Sequence, residues 1–216
     1  MIVRTIAARA RGRYLVDTPA SAGPAPLLVG FHGYAEPAEA ELDRLRAIAP
    51  GGNWLLVSVQ AMNRFYRGRS DDVIANWMTS QDRELVIADN IAYVHAVVEA
   101  VANEWEAAAT LVYSGFSQGV AMAFRAAATS SRPVSGAIVA GGDIPPEIEC
   151  AALSRVPRVL LGRGLRDDWY TEAKFLADRT RLKAAGVQSE PLEFDGAHEW
   201  AAPFVTAAAS FLETLR

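Results

Sequence analysis

The sequence predicts an α/β fold with a mainly parallel central sheet, helices on both faces and little or no lid domain. Strand-like and helix-like segments alternate along most of the chain, which is the pattern of consecutive strand–helix units. Residues 27–31, 54–60 and 157–161 are short apolar runs, as expected of strands buried on both faces of a sheet. Residues 110–122 join a strand pattern, a glycine-containing turn and a helix pattern without a gap. We expect this last stretch to organise the rest of the fold.

The elements between these landmarks can be placed in order. Residues 2–17 are interpreted as one or two strands with a hairpin turn near Gly12, and residues 18–26 as a loop. Residues 61–81 are interpreted as a long loop, and loops of this length are usually functional or mobile. The remaining predicted elements are a strand at 27–31, a helix at 38–49, a strand at 54–60, a helix at 82–106, a strand from 111, a helix ending near 129, strands at 134–140 and 157–161, a helix at 171–185, a strand at 188–194 and a C-terminal helix.

Composition limits the classes of function. The 216 residues fit one domain, 1–216, and 51% hydrophobic with 21% charged residues is typical of a soluble globular protein. The formal charge of −4 argues against nucleic acid or an anionic membrane as a partner. The N-terminus lacks a signal-peptide pattern, and no later stretch has eighteen uninterrupted apolar residues, so we expect a cytoplasmic protein. We also expect it to be a monomer or a homodimer. The single cysteine, Cys150, is interpreted as structural.

The turn in residues 110–122 has the pattern Gly-x-Ser-x-Gly, formed by Gly115, Ser117 and Gly119. Between a strand and a helix, this pattern is typical of a nucleophile elbow, which presents the serine hydroxyl at the carboxyl edge of the sheet. The alternative is a glycine–serine turn that only joins the two elements. A serine hydroxyl is a weak nucleophile at neutral pH, so the catalytic interpretation also requires a base and a group that orients the base.

Three histidines are candidates for the base. His95 falls within a helix pattern and is interpreted as a packed or surface residue, and His32 precedes the elbow. His198 follows the last strand and alone satisfies the order serine, acid, histidine that accompanies this elbow. The acid must then lie between Ser117 and His198 at the end of a strand.

Three aspartates fit that position. Asp143 follows one predicted strand, and Asp167 and Asp168 follow the next. Asp195 also follows a strand, but it is close enough to His198 in sequence to cap its own turn. The residue pattern alone leaves the choice among the first three open.

The motifs together resemble the phospholipase/carboxylesterase group of the α/β-hydrolase superfamily, small lidless serine esterases that include acyl-protein thioesterases. The resemblance implies an α/β-hydrolase fold, hydrolysis of esters or thioesters of small or acyl-chain substrates through an acyl-enzyme, and no metal or organic cofactor. It is carried by FHGY at 31–34, Trp77, GFSQG at 115–119, GGDIPP at 141–146, GRGLRDDWY at 162–170 and DGAHEW at 195–200.

The resemblance also assigns residues. The family's Gly-x-x-Asp pattern maps onto Gly164 and Asp167, which makes Asp167 the acid, with Asp168 in reserve. The backbone N–H groups of Gln118, which follows the nucleophile, and of Tyr34 are expected to bind the oxyanion. Two departures alter the walls of the site: the family's HGLGD-like loop is HGYAE at 32–36, and the His-Gly before the acid is Arg-Gly at 163–164.

The substrate pocket is predicted with less detail. Trp77, Trp169, Phe116 and Met78 are proposed to contact substrate, while many other large apolar residues are core. Arg64, Arg67 and Arg69 either favour an anionic substrate or are solvated, and solvation is the simpler interpretation. Two other functions fit the fold, namely cleavage of lactones or peptides and a noncatalytic binding scaffold. The presence of serine, acid and histidine in order disfavours the scaffold.

Overall fold

A computed structural model describes residues 1–20 and 22–215 and contains a seven-stranded sheet in the order β1-β3-β2-β6-β7-β8-β9. A separate hairpin is formed by β4 and β5. The strands are β1 (Arg13–Asp17), β2 (Leu27–Phe31), β3 (Leu55–Gln60), β4 (Asn63–Tyr66), β5 (Val73–Asn76), β6 (Leu111–Phe116), β7 (Gly136–Ala140), β8 (Arg158–Gly164) and β9 (Gln188–Phe194). The helices are α1 (Ala38–Ile48), α2 (Arg83–Glu104), α3 (Gln118–Thr129), α4 (Cys150–Leu153), α5 (Glu172–Ala184) and α6 (Ala202–Glu213).

The prediction of a mainly parallel sheet with helices on both faces is confirmed. Among the described strands of the seven-stranded sheet, only the edge strand β1 runs antiparallel to its neighbour, β3. Side chains alternate along each strand, so Val29 and Tyr113 face the cluster covered by α2, α3 and α5, whereas Leu28 and Val112 face the cluster under α1 and α6. The central strands β2, β6 and β7 are buried throughout, which explains their continuous apolar sequences.

Two segments differ from the sequence prediction. Residues 1–12 form no strand, so the predicted hairpin near Gly12 is wrong, and β1 begins only at Arg13, where pairing with β3 starts. Residues 61–81 contain the hairpin β4–β5 instead of a continuous loop. Its strand β4 is exposed at all four positions, which explains why no apolar pattern marked it. Ala75 of the hairpin pairs with Glu36, which ties the hairpin to the loop after β2.

Helix α2 is long and apolar enough to cross a membrane if length and composition alone are considered. In the fold its Val94, Val98 and Val101 are buried in the core cluster that it shares with α3. Core helices commonly meet the same two criteria, because both environments select apolar side chains. One face of α2 is therefore a core face, and 33% of its most apolar window is buried in the fold.

One buried carboxyl group lies beneath the sheet's central strands. Glu41 of α1 is fully buried, accepts a hydrogen bond from Arg44 Nη1 at 3.2 Å and lies 3.4 Å from Ser114 Oγ. Burial raises the pKa of Glu41 to about 8, although the charge and hydrogen bond of Arg44 oppose that rise. Glu41 is therefore largely protonated in the folded protein at neutral pH.

This shift predicts a pH-dependent stability. In the unfolded state Glu41 loses its proton above its ordinary pKa of 4.5, whereas in the folded state it keeps the proton up to about pH 8. Between these two values, the contribution of Glu41 to the free energy of unfolding therefore falls by on the order of 1 kcal/mol per pH unit. Glu41→Gln keeps the shape and removes this slope between pH 6 and pH 8, measured by urea unfolding. Glu39→Gln, an exposed position on the same helix, is the control and leaves the slope in place. An unchanged slope in Glu41→Gln would contradict the assignment.

Candidate active site

The centre of the site is the turn between β6 and α3. Ser117 has φ 54° and ψ −119°, a conformation that is uncommon for a residue other than glycine and costs about 1–3 kcal/mol. A Cβ atom on Gly119 would lie 1.9 Å from the carbonyl oxygen of Phe31, and one on Gly115 would lie 2.5 Å from the carbonyl oxygen of Gly119. Both glycines are therefore required by close backbone contacts, as the sequence pattern predicts.

Three of the predicted residues form a continuous chain of hydrogen bonds. His198 Nε2 lies 2.8 Å from Ser117 Oγ, and His198 Nδ1 lies 2.8 Å from Asp167 Oδ2. A carboxylate only accepts hydrogen bonds, so Nδ1–H donates to Asp167, and Nε2 is left to accept the hydroxyl proton of Ser117. The loops after β6, β8 and β9 bring these side chains together at the carboxyl edge of the sheet.

Asp167 is held rigidly in this chain. Its side chain is 1% exposed, and Oδ1 accepts hydrogen bonds from the backbone N–H groups of Trp169 and Tyr170, each at 2.8 Å. Backbone donors and His198 together occupy both carboxylate oxygens. The carboxylate is thereby fixed in the orientation that His198 requires.

The other candidate aspartates lie elsewhere. Asp143 forms an ion pair with Lys174 at 3.8 Å, and Asp195 forms an ion pair with Arg166. Asp168 is exposed and lines the cleft described below, and its carboxylate forms no hydrogen bond within the described part of the chain. Of the four aspartates, Asp167 is the one hydrogen-bonded to His198.

The other two histidines have structural contacts. His32 is buried, its Nδ1–H donates to the carbonyl of Gly33 at 2.7 Å, and its Nε2 accepts from the backbone N–H of Ala61 at 3.1 Å. Burial lowers the pKa of His32, which keeps the ring neutral and able to serve both partners. His95 lies between α2 and α3, 3.2 Å from Thr129 Oγ1.

Two backbone N–H groups predicted to bind an oxyanion border the cleft. Gln118 is the first residue of α3, where N–H groups have no acceptor within the helix. Neither its N–H nor that of Tyr34 has an acceptor among residues 1–20 and 22–215. The Gln118 side chain is occupied elsewhere, since its Oε1 accepts from the backbone N–H of Trp77 at 2.8 Å and its Nε2 donates to the carbonyl of Met78 at 3.3 Å.

The loop that carries Tyr34 is supported by a carboxylate that the sequence analysis did not identify. Glu36 Oε2 accepts a hydrogen bond from the backbone N–H of Gly33 at 2.7 Å. Arg44 donates to both carboxylate oxygens of Glu36, at 2.7 and 2.6 Å. Burial alone would raise the pKa of Glu36, but the hydrogen bonds and charge of Arg44 outweigh it and hold that pKa below its ordinary value. The loop is therefore anchored by an ionised side chain.

The same loop contains one strained residue. Ala35 occupies the position at which the HGLGD-like family pattern has its second glycine, and its φ is 58°. A left-handed conformation costs about 1–2 kcal/mol for a residue with a Cβ atom. Hydrogen bonding between Ala35 N–H and the carbonyl of Ala75, at 3.0 Å, helps to hold this conformation.

His198 is backed by an aromatic side chain. The ring centroids of Phe116 and His198 are 5.1 Å apart, and the guanidinium carbon of Arg44 lies 4.5 Å from the centroid of Phe116. Phe116 also packs edge-on against Trp200. Arg44 therefore contacts both the carboxylate that anchors the Tyr34 loop and the ring that supports His198.

The site opens into a cleft of about 1060 Å³. Of the four residues predicted to contact substrate, three line the cleft, namely Trp77, Met78 and Trp169. The fourth, Phe116, does not line it and lies behind His198. The Trp77 side chain is fully buried and its Nε1–H donates to the carbonyl of His32 at 2.9 Å. The complete lining is Tyr34, Trp77, Met78, Thr79, Ser80, Arg83, Ser117, Gln118, Ala121, Arg125, Gly142, Asp143, Arg166, Asp168, Trp169, Ala197 and His198.

The arginines of the cleft are not those considered from the sequence. Arg64 and Arg67 donate to the backbone carbonyls of Arg11 and Ala35, and neither these residues nor Arg69 belongs to the lining. Arg83, Arg125 and Arg166 line the cleft instead. They lie on α2, on α3 and after β8, so only the packing of distant elements brings them to one surface.

Comparison with solved structures shows the same architecture in several proteins, two of which are esterases. The Bacillus cereus carboxylesterase superimposes with a TM-score of 0.75 at 13% identity, covering 96% of this chain and 96% of that one. Arabidopsis thaliana SOBER1 gives 0.72 at 17% identity over 88% of this chain and 99% of that one. Esterase PE8 gives a TM-score of 0.72 at 23% identity, covering 95% of this chain and 98% of that one. No curated protein matches the sequence.

The parallel sheet, the strand–turn–helix elbow and these structural similarities define an α/β hydrolase. The sequence also matches the phospholipase/carboxylesterase family over residues 28–216. The chain belongs to that family and is a carboxylic ester hydrolase. This confirms the resemblance deduced from the motifs.

The contacts of Glu36 generate a prediction about the loop. Glu36→Ala leaves Arg44 without its main partner and Gly33 N–H without its acceptor, so we expect the free energy of unfolding to fall by about 2–3 kcal/mol. We also expect a lower kcat on a short-chain nitrophenyl ester, because Tyr34 loses its support. Urea unfolding and steady-state kinetics measure the two effects.

Glu39→Ala is the matched control for this change. Glu39 forms a similar forked ion pair with Arg13, but both side chains are exposed, so the loss of stability stays within about 1 kcal/mol and kcat is retained. Equal effects of Glu36→Ala and Glu39→Ala on stability and kcat would show that Glu36 has no special role.

Proposed function

We propose that this ester hydrolase acts through a Ser117–His198–Asp167 triad and an acyl-enzyme intermediate. The observation that carries the proposal is the unbroken chain of two 2.8 Å hydrogen bonds from Ser117 Oγ through the imidazole to a buried carboxylate. This arrangement supplies both requirements of a serine nucleophile, a base within reach and a group that orients the base.

Acylation begins when Ser117 Oγ attacks the carbonyl carbon of the ester and transfers its proton to His198 Nε2. Asp167 holds the ring with Nδ1–H directed at its carboxylate and stabilises the imidazolium that forms. The bond to the leaving oxygen then breaks, and His198 returns the proton to that oxygen. An alcohol leaves, and the acyl group remains on Ser117.

The negative charge that develops on the carbonyl oxygen requires donors that are already in place. The backbone N–H groups of Gln118 and Tyr34 are assigned this role, because both border the cleft beside Ser117. Removing one such donor in a serine hydrolase lowers kcat by about 10²–10³. The contact between Glu36 and Gly33 supports this assignment, since it fixes the backbone just before Tyr34.

Deacylation repeats the steps with water. His198 removes a proton from the water molecule, the hydroxyl oxygen attacks the acyl carbon, and the carboxylic acid is released as Ser117 regains its proton. The same sequence applies to a thioester, in which a thiol leaves. None of these steps involves a metal or organic cofactor, and within the described ranges no cluster of three His, Cys, Asp or Glu residues could hold a metal ion.

Substrate contacts are assigned to the apolar part of the cleft. Trp169 is 68% exposed and Met78 half-buried on this surface, and both can pack against a small acyl or alcohol group. Trp77 contributes through the backbone that Gln118 anchors. Cleavage of lactones or peptides by the same triad is the second candidate, and a series of substrates would separate the two.

A covalent probe tests the triad. A fluorophosphonate is expected to add once to the unmodified protein and not to Ser117→Ala, and labelling of His198→Ala is expected to slow by on the order of 10³ or more, because the base is lost. Intact-mass spectrometry measures the adduct.

Ser80→Ala is the control, because this serine lines the same cleft without a histidine partner, and its labelling should match that of the unmodified protein. Failure of the folded, unmodified protein to react would reject the proposed mechanism and favour a binding scaffold. An adduct that persists in Ser117→Ala would place the nucleophile elsewhere.

A further inference from the structure

Helix α3 connects the proposed nucleophile with a charged group farther along the cleft. Ser117 precedes the helix, and Ala121 and Arg125 follow at intervals of four residues, so they share one helix face, and all three line the cleft. Arg125 lies about 12 Å beyond Ser117 along the axis at 1.5 Å per residue. Side chains on a helix lean toward its N-terminus, which directs Arg125 back toward the serine. The small side chain of Ala121 leaves the space between them open.

Arg125 is buried but retains free hydrogen-bond donors. Its side chain is 4% exposed, and its Nε and Nη2 both bind a single oxygen of Glu147, the former at 2.8 Å. Nη1 has no acceptor among the described residues, and this atom remains accessible to solvent. Because Arg125 lines the cleft, these N–H groups are available to a bound molecule.

A second guanidinium lies on the same part of the cleft. The side chain of Arg83, an exposed residue at the start of α2, forms no hydrogen bond or contact ion pair with the residues described. Burial lowers the pKa of Arg125, and the nearby charge of Arg83 adds to that lowering, although Glu147 opposes it. Two cations therefore share one carboxylate, which leaves one positive charge uncompensated.

The carboxylates of the cleft do not neutralise this pair. Asp143 is paired with Lys174 at 3.8 Å, and Arg166 is paired with Asp195. Asp168 is on the loop after β8, beside the carboxylate that orients His198. The cleft thus has a surplus positive charge on α2 and α3 and an unpaired negative charge at the β8 loop.

We propose that the cleft selects esters that carry a carboxylate on the chain lying along α3, where Arg83 and Arg125 bind it. The carboxylate accepts hydrogen bonds from the free N–H groups of Arg125 and lies between the two positive charges, so both guanidinium groups stabilise its binding. This inference rests on the proposed function, since it places the scissile carbonyl at Ser117. The carboxylate can belong to the acyl or to the alcohol portion of the ester, and the two are distinguished by experiment.

The test compares matched esters that differ only in the terminal group. One series contains nitrophenyl monoesters of dicarboxylic acids from succinate to suberate, each beside the methyl-terminated ester of equal length. The other contains acetate esters of hydroxy acids beside those of the corresponding alcohols. In at least one series, we expect kcat/KM to favour the carboxylate by about tenfold, and high salt to reduce that preference.

Two variants must change this preference in opposite directions. Arg83→Gln removes one cation and should lower the ratio of kcat/KM values by about fivefold, whereas Glu147→Gln releases Arg125 and should raise it by about threefold. Arg69→Gln is the control, an arginine on the exposed hairpin turn outside the cleft, and it should leave the ratio unchanged. Thermal unfolding of each variant verifies that it is folded.

The outcomes separate this inference from the proposed function. A protein that hydrolyses neutral esters and reacts with a fluorophosphonate, but shows no carboxylate preference in either series, overturns the inference alone. A preference that Arg83→Gln and Glu147→Gln leave unchanged does the same. A folded protein that hydrolyses neither ester type and is not labelled overturns both.

Discussion

The structure depends on the close contact between α3 and β2, where Gly119 lies against the carbonyl oxygen of Phe31. This contact leaves no room for a side chain, and it requires a turn so tight that Ser117 adopts a positive φ. It also brings the loop after β2 beside the first turn of α3. The residues whose backbone N–H groups we assign to the oxyanion, Tyr34 of this loop and Gln118 of α3, both line the cleft for this reason. Packing of two regular elements therefore places the proposed nucleophile beside the proposed donors.

Arg44 connects the two halves of the site. It binds Glu36, which holds the loop of Tyr34, and it lies over Phe116, which packs against His198. A guanidinium suits this position because its planar fork binds a carboxylate while its face stacks on an aromatic ring. A substitution at Arg44 would thus disturb the proposed backbone donors and the proposed base at once.

Features of the fold and of the candidate site can be predicted from the sequence where a short stretch of residues encodes them. Buried strands have apolar runs, and the elbow and the order of Ser117 and His198 follow from short motifs. Asp143, Asp167 and Asp168 all follow strands, so only the family resemblance singles out Asp167 as the acid. The hairpin β4–β5 lacks a strand signal because β4 is short, exposed at all four positions and without alternation of apolar and polar residues. Residues 1–12 contain apolar residues, but these are exposed and pair with no strand, so the strand predicted there does not form. The pairs Glu36–Arg44 and Arg83–Arg125 depend on tertiary packing, which no sequence spacing reveals.

The hairpin β4–β5 has a consequence for the evolution of this enzyme. Its stem is anchored, since Ala75 pairs with Glu36 and the following Trp77 binds the side chain of Gln118. Its turn, residues 67–72, is exposed throughout. Insertions at exposed turns are tolerated because they displace no buried backbone. A family member can therefore lengthen this turn while the anchored stem keeps Trp77 and Gln118 in place at the cleft, so that the surface outside the cleft varies without disturbing its lining.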